Sequence, residues 1–233
     1  MTQKGSESLL KVAHHRLYPP LTETSYLVLR ARRIIFKNWI SELENRPLRI
    51  LDVGGRYQPY RPLLEGRIGR YIAVDVEKTP LVTVVSDGQA LPFVSEFFDL
   101  AIATQVFEYF SDPHLAARQI HAALRPGGVL LASLASFAPR FVEPERWRFT
   151  RDGIRSLFAP FAQVDVIPEV GSIGGIFRVA NLAGHFLVRY PGARVAYNFT
   201  ICPILNLIGQ GLEQLNLTSD DRFTSNYSVR AIR

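Results

Sequence analysis

Leu51-Asp52-Val53-Gly54-Gly55 constrains this chain more than any other stretch. An apolar run ends in an acid and two glycines, and a second short apolar run, 71–74, ends in Asp75. The pattern reads as strand, glycine turn, helix and second strand. Glycine belongs at such a turn because a Cβ would block the close approach of a ligand, and because glycine tolerates positive φ. The helix N-terminus behind the turn would offer unpaired N–H groups. Asp75 lies 23 residues beyond Asp52, a separation that suits a strand-end carboxylate meeting the ribose hydroxyls of a nucleoside. The expectation is a site for the adenosine half of a cofactor.

The rest of the chain continues the alternation. Strand-like runs fall at 49–53, 71–74, 81–85, 98–103, 129–134, 162–167 and 225–232. Asp112 is the expected N-cap of a helix with Pro113 at its first position, and Thr150 caps the next. Pro126-Gly127-Gly128 closes the first of these. Alternation of this kind predicts an α/β fold, a doubly wound Rossmann-like parallel sheet. Residues 1–23 read as a polar lead-in carrying His14 and His15. Residues 24–45 read as a helix with an apolar face (Leu29, Phe36, Ile40, Leu43) and a basic stripe of Arg30, Arg33 and Lys37. The stretch 172–220 reads as an insertion before the last strand. Its first half is an amphipathic helix with Ile176, Ala180, Ala183 and Leu187 on one side. Arg178, Asn181, His185 and Arg189 form a polar stripe that faces either solvent or the substrate cleft. Its second half is strongly apolar and contains Pro203.

The blocks between 49 and 134 occur in an order that resembles the class I S-adenosylmethionine-dependent methyltransferases, in particular the type 11 group. They read RILDVGGRYQPYRPLL, YIAVDVE, VVSDGQALPF, FFDLAIATQVFEYFSDP and ALRPGGVLLASL. WRFTRDGIRSLF at 147–158 is similar to a segment of a related subgroup, and the closing NYSVRAIR resembles that fold's last strand. The resemblance implies seven strands with the last antiparallel, and S-adenosyl-L-methionine as cofactor. It implies one domain with a helical extension at 1–46, a cofactor-binding core at 47–171, an insertion or cap at 172–220 and a last strand at 221–233. It also implies roles. Asp52, Gly54 and Gly55 would hold the methionine moiety, Asp75 the ribose, and Asp87 and Gly88 the adenine. Thr104, Gln105 and Val106 would line the sulfonium and substrate side. Tyr57 would pack on the cofactor. Two departures stand out. The family's further glycine is missing, with Arg56 and Tyr57 in the turn, and Glu108-Tyr109 stands where many relatives have Glu-His.

Methyl transfer from a sulfonium is an in-line displacement, in which a protein aligns the reactants and excludes water. A hydroxyl acceptor needs a base, and Glu108 and Glu143 are the catalytic candidates. Glu143 lies on the loop after the fifth strand, a usual ligand position in open α/β sheets. His114 and His121 are read as solvated, and Trp147 as core or substrate platform. No Cys/His cluster has metal spacing, so no metal is expected. The acceptor is expected to be a small molecule or a glycan- or lipid-linked group.

A single cysteine, Cys202, and a polar start point to a cytoplasmic protein. No run reaches the roughly 18–20 apolar residues of a membrane span. The net charge of +6 comes without a nucleic-acid-reading module, so no nucleic acid partner is expected. The insertion is richer in apolar residues than a solvent-facing loop requires. Burial as an ordinary cap is the first expectation. A substrate lid, a dimer surface and peripheral membrane contact through its arginines remain open, as does the oligomeric state. Two other functions compete with methyl transfer: a non-catalytic S-adenosylmethionine-binding or membrane-surface protein, and a nicotinamide-dependent oxidoreductase.

Overall fold

The computed structural model describes residues 3–139, 143–215 and 220–233. Among them, seven strands form one sheet: β1 (Leu48–Val53), β2 (Ile68–Asp75), β3 (Val84–Val85), β4 (Phe98–Thr104), β5 (Leu124–Ala135), β6 (Gln163–Pro168) and β7 (Asn226–Ile232). Their order is β3-β2-β1-β4-β5-β7-β6. Strands β1 to β5 pair in parallel, and β7 runs antiparallel between β5 and β6. Both faces are buried, so the central strands read as continuous apolar runs. Alternate residues supply the two sides. Leu51, Val53, Ala101 and Leu130 join one cluster, and Ile50, Leu100, Ile102 and Leu131 join the other.

On the first face lie α3 (Pro113–Ala123) and α4 (Arg151–Leu157). Their caps are as the sequence predicts. The Asp112 carboxylate accepts from the Leu115 N–H at 2.9 Å, and the Thr150 hydroxyl accepts from the Gly153 N–H at 3.1 Å. On the second face lies α2 (Tyr26–Ser41), burying Phe36, Trp39 and Ile40.

Three expectations need correction. The 1–23 lead-in contains a helix, α1 (Gln3–Leu17), which buries Ala13 and Leu17, one turn apart, and ends before Pro19-Pro20. His14 and His15 are exposed on it, and His15 meets Glu23 at 2.9 Å. Second, no α-helix follows Gly55. The connection to β2 winds only into a 3-10 turn, Arg61–Leu64. Pro59 and Pro62 lack the N–H groups that a helix would need, and Gln58 takes a positive φ of 53°. The helix N-terminus expected behind the glycines is therefore absent. Third, the 81–85 run pairs only at Val84–Val85, on the edge of the sheet.

The insertion folds into α5 (Ser172–Leu187), α6 (Pro191–Phe199) and α7 (Ile201–Gln214). Helix α5 is turned the opposite way from an ordinary cap. Arg178 and Asn181 are buried, while Ile176, Ala180, Ala183 and Leu187 are exposed. The inward side buries Leu182 and packs Phe177 against Leu27 and Val28, and polar contacts complete it. Asn206 donates to the Leu21 and Glu23 carbonyls at 2.8 and 2.9 Å and accepts from Asn181 at 3.0 Å. The Glu213 carboxylate receives the Gly171 and Gly174 N–H groups at the start of α5, at 3.0 and 2.6 Å. Gly175 lets α5 press on the chain leading to β7, where an added Cβ would overlap the Phe223 carbonyl.

Candidate active site

The site is built at the carboxyl ends of β1, β2 and β4, where the connections leave the sheet. Beyond Val53 the chain turns through Gly54, at φ 76°. The Gly54 and Gly55 N–H groups both bond back to the Val74 carbonyl, at 2.8 and 3.0 Å. A Cβ at Gly55 would come within 2.7 Å of the Asp52 carbonyl, so only glycine fits there. Gly88 is equally constrained, because a Cβ would lie 2.7 Å from the Phe110 ring. This glycine turn is tied to β2 by its own amides, so recognition of a ligand falls to side chains.

Two carboxylates stand side by side here. Asp52 pairs in register with Ala73, and Asp75 follows two residues along β2. Both are buried. Burial pushes the Asp52 carboxyl up to about 7; a 2.5 Å hydrogen bond from the Tyr71 hydroxyl opposes the shift and the charge of Asp75 adds to it. Asp75 accepts from the Glu77 N–H at 3.0 Å and faces Arg56 Nε at 3.5 Å. Arg56 also bonds to Glu77. Tyr57 lies beneath the Arg16 guanidinium of α1, 4.3 Å from its ring centre. Asp87 is exposed and accepts from the Gln89 N–H at 2.9 Å.

The next part of the site follows β4. Gln105 takes a positive φ of 51° and bonds to Ser133 of β5 and Asn226 of β7, each at 3.1 Å. Glu108 is buried, with Oε1 on the Ala135 N–H and Oε2 without a hydrogen-bond partner among the described residues. Burial pushes its carboxyl up to about 7, against the Ala135 hydrogen bond. Glu143 is exposed on the β5–α4 connection, beside residues outside those described. Trp147 is half-exposed, its indole N–H on the Phe110 carbonyl at 2.8 Å. His114 is exposed, whereas His121 is half-buried against Phe161 rather than solvated. Among the described residues no group of three His, Cys, Asp or Glu side chains is placed to hold a metal.

Sequence reasoning missed a buried polar centre that adjoins Gln105 through Ser133. Arg32 of α2 makes a bidentate pair with Glu169, at 2.6 and 2.9 Å. Ser133 and Ser228 donate to the same carboxylate at 2.6 and 3.0 Å. Burial opposes the Arg32 charge, but Glu169 more than offsets it and holds the guanidinium above its ordinary value. Burial lowers Arg178 to about 10, with Glu169 opposing. A signal existed: Val28, Arg32, Phe36 and Ile40 fall at four-residue spacing, which sets an arginine in an apolar stripe.

Residues 51–132 match a family model of the type 11 group described as a methyltransferase domain. The chain is 26% identical over 167 residues to the mitochondrial arginine-hydroxylase NDUFAF5 of Homo sapiens, covering 64% of this chain and 47% of that protein. It is 31% identical over 94 residues to malonyl-[acyl-carrier protein] O-methyltransferase 1 of Coxiella burnetii, covering 37% and 33%. The chain thus spans half or less of the length of these relatives. Phosphoethanolamine N-methyltransferase 2 of Haemonchus contortus, solved in complex with S-adenosyl-L-methionine, shares the fold with a TM-score of 0.54 at 14% identity, over 95% of this chain and 60% of that one. In the nicotinamide-type doubly wound sheet the strands run 3-2-1-4-5-6, with no antiparallel strand between the fifth and sixth. The inserted β7 gives the chain the fold of the Haemonchus contortus methyltransferase, and residues 51–132 are similar to the methyltransferase domain of the type 11 group.

Proposed function

We propose that this chain transfers a methyl group from S-adenosyl-L-methionine to a small-molecule or glycan- or lipid-linked acceptor by in-line displacement, as one domain with its core at 47–171, and that it does so in the cytoplasm. The observation that carries the reading is the pair of buried carboxylates, Asp52 and Asp75, at neighbouring strand ends beside the Gly54 turn. The residues present fit the cofactor. Asp75 would accept from the ribose hydroxyls, Asp52 would take the methionine end where Gly54 and Gly55 leave room for it, and Asp87 would take the adenine edge where Gly88 leaves room. Tyr57 would pack on the cofactor, and Gln105 would face the sulfonium. When bound, the cofactor supplies an electrophilic methyl on a positively charged sulfur.

This chain's own residues would align the acceptor and take its proton. Glu108 suits that task for a hydroxyl. Its carboxyl titrates near neutrality, and one oxygen is uncommitted. Glu143 is a second candidate, from the loop after β5. Labelled methyl transfer into fractionated cell extract tests the reading, with Asp75→Ala as the blank. Wild-type labelling above that blank is expected, and thermal stabilisation by a dinucleotide but not by S-adenosylmethionine would sink it.

A second reading, a non-catalytic S-adenosylmethionine-binding protein, is favoured by one observation. Arg56 bridges Asp75 and Glu77, at the carboxylate the ribose would use. Binding of S-adenosylhomocysteine without transfer to any fraction would select it.

A further inference from the structure

The cap is inside out. On α7 the buried residues include Cys202, Asn206 and Gly209, while Ile204, Leu207 and Ile208 face outward at about half exposure (53, 53 and 45%). Helix α6 buries no residue, and Phe199 at its end is 70% exposed. Leu187 and Tyr190, at the corner between α5 and α6, are each 79% exposed. A water-facing helix shows the reverse pattern. Scattered apolar side chains on a surface are ordinary, but a contiguous apolar face over successive helices marks a covered surface.

The charges around this face select what covers it. Between Glu169 and Glu213 there is no acidic residue, whereas Arg189 and Arg194 flank the corner and His185 lies nearby. Arg194 is anchored to the Val188 carbonyl at 3.1 Å, which fixes it beside Tyr190. A second copy of the chain would set these like charges against one another with no acid between them. An anionic lipid surface satisfies both features. Acyl chains take the apolar side chains, head groups take the arginines, and an exposed tyrosine at the boundary suits the interface. With no helix among the described residues long and apolar enough to cross a membrane, the contact lies in the plane of the surface.

We propose that the outer face of α5, α6 and α7 is a docking surface for an anionic bilayer. The inference is independent of methyl transfer, and its test reads lipid binding only. The full chain is floated with phosphatidylcholine vesicles, with and without phosphatidylserine. Flotation is expected with phosphatidylserine, falling with added salt. Arg189→Ala and Arg194→Ala should each weaken binding roughly fivefold. Leu207→Glu/Ile208→Glu should abolish it, and because both positions are exposed the variant should keep the wild-type circular dichroism melt. Equal flotation of wild type and the Leu207→Glu/Ile208→Glu variant would overturn the proposal. So would a failure of the wild type to float, or a non-floating dimer in sedimentation equilibrium that this variant dissociates; the dimer would assign the face to a second copy instead.

Discussion

Arg56 reaches across the glycine turn to Asp75, its Nε 3.5 Å from Oδ2. Arg56 is partly exposed and Asp75 is not, so the pair is screened on one side and is worth up to about 1 kcal/mol. A ribose would compete with the arginine for this carboxylate. Arg56→Ala is therefore expected to tighten S-adenosylmethionine binding by up to about fivefold, read by titration calorimetry. Asp75→Ala should remove measurable binding. Weaker binding by Arg56→Ala would instead mean that the arginine touches the cofactor itself.

Glu108 links activity and stability through pH. Its folded carboxyl is raised to about 7 from a reference of 4.5, because burial disfavours the charge. The folded state therefore binds the proton more tightly than the unfolded state. Stability from this group is greatest below the unfolded value, declines as pH rises from about 4.5 to 7, and is flat above. Glu108→Gln removes that decline. In urea titrations the variant should match wild type near pH 4 and be more stable at pH 8, by roughly 3 kcal/mol at most. Asp52 shifts in the same direction and remains as a shared background in both proteins. If Glu108 is the base, methyl transfer should rise with pH through about 7, and Glu108→Gln should slow it by roughly 10²–10⁴-fold. A variant of unchanged rate and pH profile would exclude Glu108 from proton transfer.

How much was legible in the sequence differs from element to element. Asp52 and Asp75 sit at strand ends because alternating apolar runs and glycine punctuation are local signals. The Asp112 and Thr150 caps are local too. The missing helix after Gly55 was also local information, held in Pro59 and Pro62, but the family pattern outweighed it. Arg32 and Glu169 are separated by 137 residues, and no short-range rule pairs them. The α5 stripe kept its period and lost its direction. Helical spacing identifies two faces without saying which of them meets solvent, and Arg178 and Asn181 turn inward.

The Arg32–Glu169 pair is buried on both sides and shares its carboxylate with Ser133 and Ser228. Arg32→Met takes from that buried carboxylate its hydrogen-bonded ion-pair partner, at a cost of up to about 3–5 kcal/mol in urea unfolding. Adding Glu169→Gln should recover a substantial part, since the neutral amide can still accept from both serines. Failure of the second substitution to recover any stability would show that packing of the arginine stem, rather than its charge, dominates.

Asn206 ties the cap to the body of the protein, because its amide donates to two carbonyls in the α1–α2 connection and its oxygen accepts from Asn181. Asn206→Leu keeps a side chain of similar size but strands the Leu21 and Glu23 carbonyls and the Asn181 amide. Each buried group left unpaired costs about 1–3 kcal/mol, offset in part where water reaches it. The loss should concentrate in the cap, since the β-sheet core makes none of these bonds. Hydrogen exchange is expected to speed up in α7 and in the 18–25 connection while β1, β4 and β5 stay protected. Uniform acceleration across the sheet would mean that cap and core unfold as one unit. Unchanged exchange in α7 would mean that the close approach of the helix at Gly209 to Phe177 and Leu27, where an added Cβ would not fit, holds it without the asparagine.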